Sequence, residues 1–303
     1  MKTDVKGEFS KEETVYRDGD LASRESSSTP SAVSKLFGKA DLKYGKTYMA
    51  PLLITGILLA GHLSFGILES YDKFIAAILA SFAAELVLGR FITGKWRNLT
   101  SAYISGISVG ILVRSPMIWP FVLCSLLSIS SKYVLRYKGT HIWNPSNFGI
   151  VALMIIAADS AAVLTVQWGN NMWAMVVIWV IGFFSLYKVD RFHICATYVL
   201  SFLAFGWLRS MYTGDPYLSE IALITGPMYQ LFVLFMITDP KTTVRSRWGQ
   251  YLVAFLIAFV EMIFRLNEAV YAPFYALFLV GPVSLIIELW WKNQKAAKLS
   301  VSN

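Results

Sequence analysis

Residues 101–116 read SAYISGISVGILVRSP, and residues 225–240 read TGPMYQLFVLFMITDP. Both stretches begin with small residues and a glycine, continue as apolar runs, and end at a polar residue followed by Ser-Pro or Asp-Pro. A further proline opens an apolar segment 29 residues after the first stretch, at Asn144-Pro145, and 33 residues after the second, at Ala272-Pro273. This shared order of small residues, apolar runs and prolines indicates an internal repeat. The alternative is chance similarity, because apolar segments resemble one another.

The composition around these stretches is that of a membrane protein. Of the 303 residues 56% are hydrophobic, 15% are charged, and the mean hydropathy is +0.54. An ordinary soluble domain has roughly 25% charged residues. So few polar side chains cannot cover a water-soluble globule of this size, and we therefore expect lipid to be the solvent.

Ten hydrophobic segments are candidate transmembrane spans. Two of them, the third and the fifth, are short for a crossing of ~20 residues, so we expect them to be broken or partly re-entrant. The segments are 49–68, 74–92, 101–113, 117–134, 146–158, 172–187, 192–209, 221–238, 249–265 and 271–290.

The basic residues between the spans predict the orientation. If the N-terminus is cytoplasmic, alternation places 18 Lys and Arg residues on the cytoplasmic side and four on the other side. This asymmetry obeys the positive-inside rule, with both termini cytoplasmic and the protein in the cytoplasmic (inner) membrane. The net charge of +8 is then a topology signal, and nucleic acid is not an expected partner. A lysine cluster before the first span is a further topology signal or binds anionic lipid headgroups: Lys35, Lys39, Lys43 and Lys46.

The spans divide the chain into two halves. Residues 1–45 mix both charge signs with few apolar residues and are expected to form a disordered cytoplasmic tail. The five-span repeats cover 46–159 and 160–292, and 293–303 form a cytoplasmic C-terminal tail. Because five is odd, the second repeat enters from the opposite side. The predicted fold is an all-α polytopic membrane protein of about ten transmembrane helices in two inverted five-helix repeats, some helices short or broken.

Polar residues at the interrupted spans are the candidate ligand-binding groups, because short spans broken by Gly or Pro often border a central site. Capping of a helix is the alternative role of Asn144, and termination of a helix is the alternative role of Thr238-Asp239-Pro240. The predicted lining residues are Ser101, Ser105, Asn144, Asn147, Thr238 and Asp239.

Two carboxylates lie deep within spans. Glu85 and Glu261 are candidates for a proton or sodium relay, since an intramembrane acid is expensive and usually functional. The alternative is a neutral or hydrogen-bonded structural acid. Cys124, Cys195 and three scattered histidines have no metal-ligand spacing, so no metal site is predicted, and no catalytic residue is assigned.

Three stretches together resemble the RnfD/NqrB family, the flavin-carrying membrane subunits of the Rnf complex and of the sodium-translocating NADH:quinone oxidoreductase. The first runs from Ser101 to Pro116. The second runs from Lys132 through Gly139 to the Asn144-Pro145 element and Gly149. The third is Phe235–Pro240, with Arg247 and Gly249 before the next span. The similarity extends over most of residues 50–290.

The resemblance implies a membrane subunit of an electron-transport complex that binds flavin, is coupled to ion movement, and assembles with other membrane or redox subunits. Family members attach FMN to the Thr of an S-G-A-T motif between the two halves. The connection at 159–171 contains no such motif, so FMN or riboflavin is expected to bind non-covalently. In this respect the chain resembles a divergent branch of the family, the UnbU-type RnfD-like proteins of enediyne biosynthetic clusters.

Two other classes remain open on the same fold. One is a non-redox transporter or channel, and the other is a membrane scaffold subunit, either of them serving a biosynthetic cluster. A chromophore in the purified protein would distinguish the electron carrier from both.

Overall fold

A computed structural model of the protein describes residues 68–163 and 172–301, together with single positions at 52, 55, 56, 59, 62 and 63. The side chains at 172–174, 177, 188 and 295–301 are outside this description. The expected N-terminal tail, 1–45, lies outside the described residues. So do most of the first expected span, 49–68, and residues 164–171 of the connection between the halves.

The described chain is mostly helical. Two pairs of two-residue strands add small antiparallel ribbons: β1 (Val113–Arg114) pairs with β4 (Ala162–Val163), and β2 (Arg136–Tyr137) pairs with β3 (Thr140–His141). The helices are α1 (Tyr71–Thr93), α2 (Thr100–Leu112), α3 (Trp119–Val134), α4 (Pro145–Ile156), α5 (Met172–Val189), α6 (Phe192–Thr213), α7 (Tyr217–Ala222), a 3₁₀ turn (Leu223–Thr225), α8 (Pro227–Leu231), a π-helical turn (Phe232–Met236), α9 (Arg247–Leu266) and α10 (Ala272–Val301).

Four of these helices are long and apolar enough to cross a membrane: α1, α6, α9 and the Ala272–Gln294 part of α10. A bent pair, Tyr217–Thr225 with Pro227–Met236, makes a fifth if it is counted as one span. Each expected span from the second to the tenth coincides with a helix or with this bent pair. The helical prediction is therefore confirmed for the described residues. The stretch expected as a C-terminal tail continues α10 as far as Val301.

The break in the helices falls in the eighth expected span, whereas the third and the fifth are short, unbroken helices. The two parts of the eighth span meet at an angle of 61°. Gly226 there has an extended backbone, with φ −72° and ψ 152°, and Pro227 cannot donate the hydrogen bond that would continue the helix. The glycines of α2 serve packing instead. A Cβ at Gly106 would lie 2.8 Å from the Ile78 backbone of α1.

Local signals in the sequence set several helix ends. The Asn144 side chain accepts a hydrogen bond from the Asn147 amide at 3.1 Å, which caps α4, and Pro145 occupies the first helical position. Helices α1 and α6 end at Gly94 and Gly214, which have φ of +68° and +83°. The capping role weighed for Asn144 is therefore present in the structure.

Several connections between helices lie at one end of the bundle, where hydrogen bonds link them. We call this end the basic end. It comprises residues 94–99, 135–144, 190–191 and 237–246. There Arg247 pairs with Asp190, and the amides of Arg245 and Ser246 donate to Glu288 at 2.8 and 3.0 Å. At the opposite end Ser115 Oγ donates to the Ser160 carbonyl at 2.7 Å, beside the β1–β4 ribbon.

Candidate functional site

A buried carboxylate joins α1 to α3. Glu85 is 2% exposed and accepts hydrogen bonds from Lys132 Nζ at 2.5 Å and from the Tyr133 hydroxyl at 2.9 Å. Lys132 also donates to Ser101 Oγ at 3.0 Å, which brings in the first turn of α2. We call these four residues the Glu85 cluster. It contains an ion pair, a phenol and a hydroxyl close to the basic end.

The packing of α1 against α3 makes room for this cluster. Gly89 lies one turn beyond Glu85 on α1, and a Cβ there would lie 3.2 Å from the Tyr133 hydroxyl oxygen. The same Cβ would be 2.8 Å from Cγ of Arg97. A larger residue at this position would push Tyr133 away from the carboxylate.

A second buried carboxylate joins α6, α8 and α9. Glu261 is 0% exposed and accepts hydrogen bonds from the hydroxyls of Tyr198 and Tyr229 and from Arg265 Nε, the last at 3.0 Å. Arg265 also donates to the Tyr229 hydroxyl oxygen. We call these four residues the Glu261 cluster. It lies near the end of the bundle opposite the basic end, where α9 finishes.

A second buried arginine lies beside the Glu261 cluster. Arg209 of α6 is 2% exposed and donates through Nε to Glu220 Oε2 at 2.6 Å and through Nη2 to the Glu220 carbonyl at 3.0 Å. The guanidinium carbons of Arg209 and Arg265 lie 5.4 and 5.8 Å from the centroid of the Phe202 ring. A cavity of about 340 Å³ opens next to both arginines, and Glu220, Tyr229 and Glu268 also line it.

At the basic end, α4 meets the segment that follows the π-helical turn. Asn144 Nδ2 donates to Asp239 Oδ2 at 3.2 Å, across 95 residues of sequence. The same carboxylate accepts from the Thr242 hydroxyl at 2.9 Å and from the Lys241 amide at 3.1 Å. Thr238 donates to the Leu234 carbonyl of the preceding π-helical turn at 2.8 Å.

Asn147 lies deeper at this junction. It is 1% exposed, and its Nδ2 donates to the Phe274 carbonyl of α10 at 3.2 Å. Its Oδ1 is buried and has no hydrogen-bond partner among the described residues. We call Asn144, Asn147, Thr238 and Asp239 the Asn144 junction. Most of its polar atoms bind other protein atoms, and Asn147 Oδ1 is the exception.

At the basic end, the charge of Asp239 affects the pKa values of two neighbouring groups. Burial lowers the pKa of His141 in β3, and the carboxylate of Asp239 opposes that shift. Burial also lowers the pKa of Arg191, again opposed by Asp239. The negative charge of Asp239 therefore favours the protonated form of two partly enclosed groups on neighbouring connections, against the effect of burial.

The predicted site residues thus fall in three places. Ser101 belongs to the Glu85 cluster, and Ser105 is buried one turn further along α2. The other four predicted lining residues form the Asn144 junction, and Glu261 has a cluster of its own.

The sequence analysis did not predict which side chains would bind the carboxylates of Glu85 and Glu261. The spacing of four residues between Glu261 and Arg265 is a helical pair that could have been recognised. Tyr198 and Tyr229 are 63 and 32 residues from Glu261, and no local pattern connects them to it.

No protein-family model and no curated protein matches the chain.

Proposed function

We propose that the chain is a multi-pass protein of the cytoplasmic membrane, with two inverted five-span halves at 46–159 and 160–292 and both termini in the cytoplasm. The apolar helices α1, α6, α9 and α10 and the bent pair support membrane insertion. Basic side chains cluster at one end of the bundle, as the positive-inside rule requires of a cytoplasmic face.

One observation carries this proposal: each half encloses a carboxylate that binds a cationic side chain and at least one tyrosine hydroxyl. The Glu85 cluster uses α1, α2 and α3. The Glu261 cluster uses α6, α8 and α9, the elements that correspond to them when the halves are aligned. The two clusters lie toward opposite ends of the bundle. The clusters correspond in the helices they use and not in the helix that carries the carboxylate, because Glu85 is on α1 whereas Glu261 is on α9, the counterpart of α3.

In function we propose a membrane subunit of an electron-transport complex, similar to the RnfD/NqrB family, in which the buried carboxylates serve ion movement. Carboxylates in apolar helices recur in proton and ion pathways. The hydroxyls of Tyr198 and Tyr229 and the Arg265 guanidinium hold Glu261 in place. The two tyrosine hydroxyls can also pass a proton to or from it along their hydrogen bonds. Membrane lipid and other redox subunits are the proposed partners.

Non-covalent FMN or riboflavin remains a prediction of the resemblance. Asn147 Oδ1 could accept a hydrogen bond from a ring N–H of a flavin. The other polar atoms of the Asn144 junction bind each other or the backbone, so the junction offers few further groups in this conformation. We therefore derive no step through a flavin.

A solute transporter is the second candidate, and the cavity beside Arg209 and Arg265 favours it. A cavity of about 340 Å³ with charged walls, close to a buried carboxylate, is suited to a small polar solute. Transport of such a solute could use the same proton movement at Glu261.

The proposal is tested in proteoliposomes that contain a pH-sensitive dye. Wild-type protein should conduct protons when a pH step is imposed, and Glu261→Gln should lower the rate roughly tenfold or more, because the amide holds no titrating proton. Glu85→Gln should also lower it. The matched control is Glu288→Gln, which removes a carboxylate that caps a connection at the basic end.

An absorption spectrum of the same preparation separates the two candidates. Stoichiometric flavin that acid releases, and that Asn144→Ala combined with Asp239→Ala removes, supports the electron-transport function. Protein without flavin that still conducts protons supports the transporter. If Glu261→Gln and Glu85→Gln both conduct as the wild type and the Glu288→Gln control do, both ion-coupled functions are wrong.

A further inference from the structure

The cavity at the end of the bundle opposite the basic end is lined by charged groups that can bind a ligand. It lies where α6, α8 and α9 meet the segments beside them, and its wall includes Arg209, Glu220, Tyr229, Arg265 and Glu268. We propose that it binds a small anion through a carboxylate or phosphate group held between the guanidinium groups of Arg209 and Arg265. This inference goes beyond the proposed function and does not depend on ion coupling or flavin.

The two guanidinium groups line the same cavity and lie beside the same aromatic ring. Both lie within 6 Å of the centroid of Phe202, at 5.4 Å for Arg209 and 5.8 Å for Arg265. Each guanidinium carries five N–H donors in a planar fork. The hydrogen bonds that both make to other described residues use Nε and Nη2, which leaves the Nη1 donors for a ligand.

Both arginines are held in position before a ligand arrives. The Glu220 carboxylate and carbonyl fix Arg209, while Glu261 and Tyr229 fix Arg265. The Arg209 side chain is 2% exposed and that of Arg265 is 13% exposed, so water competes weakly for their donors. A planar, preorganised guanidinium matches the two oxygens of a carboxylate or phosphate.

The acidic residues of the cavity wall affect whether the cavity favours a negatively charged ligand. Glu220 already pairs with Arg209, and Glu268 is exposed at the rim, where solvent and salt screen its charge. The enclosed part of the cavity therefore presents unused guanidinium donors, whereas the repelling carboxylate lies in water. An anion is favoured at the arginines, and removal of the Glu268 charge should strengthen its binding.

The test measures binding to purified protein in detergent by calorimetry, with acetate, inorganic phosphate and short-chain phosphatidylglycerol as probes. Arg265→Lys keeps the charge but loses the fork, and should weaken anion binding about tenfold. Arg247→Lys makes the same change at the other end of α9, where the side chain is 62% exposed, and should leave binding unchanged. Glu268→Gln should tighten binding by a factor of about 1.4 to 5, as expected for one exposed charge.

The probes identify the source of the anion. Binding of acetate or phosphate indicates a free solute, and binding of phosphatidylglycerol alone indicates a lipid headgroup; either supports the proposal if Arg265→Lys weakens it. The proposal is overturned if no probe binds, or if Arg265→Lys and Arg247→Lys have equal effects. Weaker binding after Glu268→Gln would also overturn it. Because Glu268 is exposed, that variant remains informative if Arg265→Lys does not fold.

Discussion

Glu85 and Glu261 show how far single residues can be interpreted from sequence. Both are acids within long apolar segments, and this alone marks them as groups that need partners. The structure encloses both and supplies those partners from other helices, Lys132 and Tyr133 for one and Tyr198 for the other. The position of a charge within an apolar segment is visible in the sequence. The identity of its partners depends on how the helices pack, which the sequence does not display.

His141 makes the stability of the protein depend on pH. Burial lowers its pKa below the ordinary value of 6.5, so the folded state binds this proton less readily than the unfolded state does. The stability linked to this proton is therefore fully present above the unfolded pKa and is lost as pH falls from there through the lower folded pKa. The apparent melting temperature in detergent should fall between about pH 7.5 and about pH 5.5, and less so in His141→Asn. Equal falls in both proteins would contradict this assignment.

At the scale of elements, prolines and glycines decide where helices break and where they approach closely. Short length was expected to mark a broken helix, yet α2 and α4 are intact and the bend falls at Gly226-Pro227. The signal was present in the sequence, because a proline cannot continue the hydrogen-bond ladder of a preceding helix. The role of the other glycines was not visible, since it depends on which helix lies opposite them.

Gly149 tests the role of close helix packing. A Cβ on this residue of α4 would lie 2.6 Å from the Cys124 carbonyl of α3, so Gly149→Ala must move the two helices apart. We expect a loss of about 1–3 kcal/mol of stability, measured by unfolding in detergent. The control is Gly281→Ala in α10, where the nearest atom, Leu277 Cδ1, would be 3.4 Å away. Alanine favours the helix there by about 1 kcal/mol, so the control should be neutral or stabilising.

If Gly149→Ala is no more harmful than Gly281→Ala, α3 and α4 are not packed as closely as the structure places them. The Asn144 junction would then also lose its support, because α4 carries Asn144 and Asn147.

At the scale of the whole molecule, hydrophobic segments predicted the helices well, since a long apolar run satisfies its backbone hydrogen bonds within a helix. The candidate site was predicted less completely. Asn144 and Asp239 do meet, 95 residues apart, but Ser101 and Glu85 lie in a separate cluster, and the cavity beside Arg209 was not expected at all. Cavities arise between elements, and segment patterns do not define the space between helices.

The central claim is that the bundle crosses the membrane with its basic end in the cytoplasm. It is tested most directly by labelling intact spheroplasts with a membrane-impermeant maleimide. The parent is a suitable unlabelled control, because its two cysteines, Cys124 and Cys195, are both buried. Single cysteines are introduced in each half, at Lys138 and Arg245 of the basic end and at Asp159 and Asn267 of the opposite end.

We expect Asp159→Cys and Asn267→Cys to react in intact spheroplasts, and Lys138→Cys and Arg245→Cys to react only after the membrane is permeabilised. This pattern would place equivalent connections of the two halves on the predicted sides. Reaction of all four cysteines in intact spheroplasts, or of Lys138→Cys and Asn267→Cys together, would contradict the proposed membrane topology.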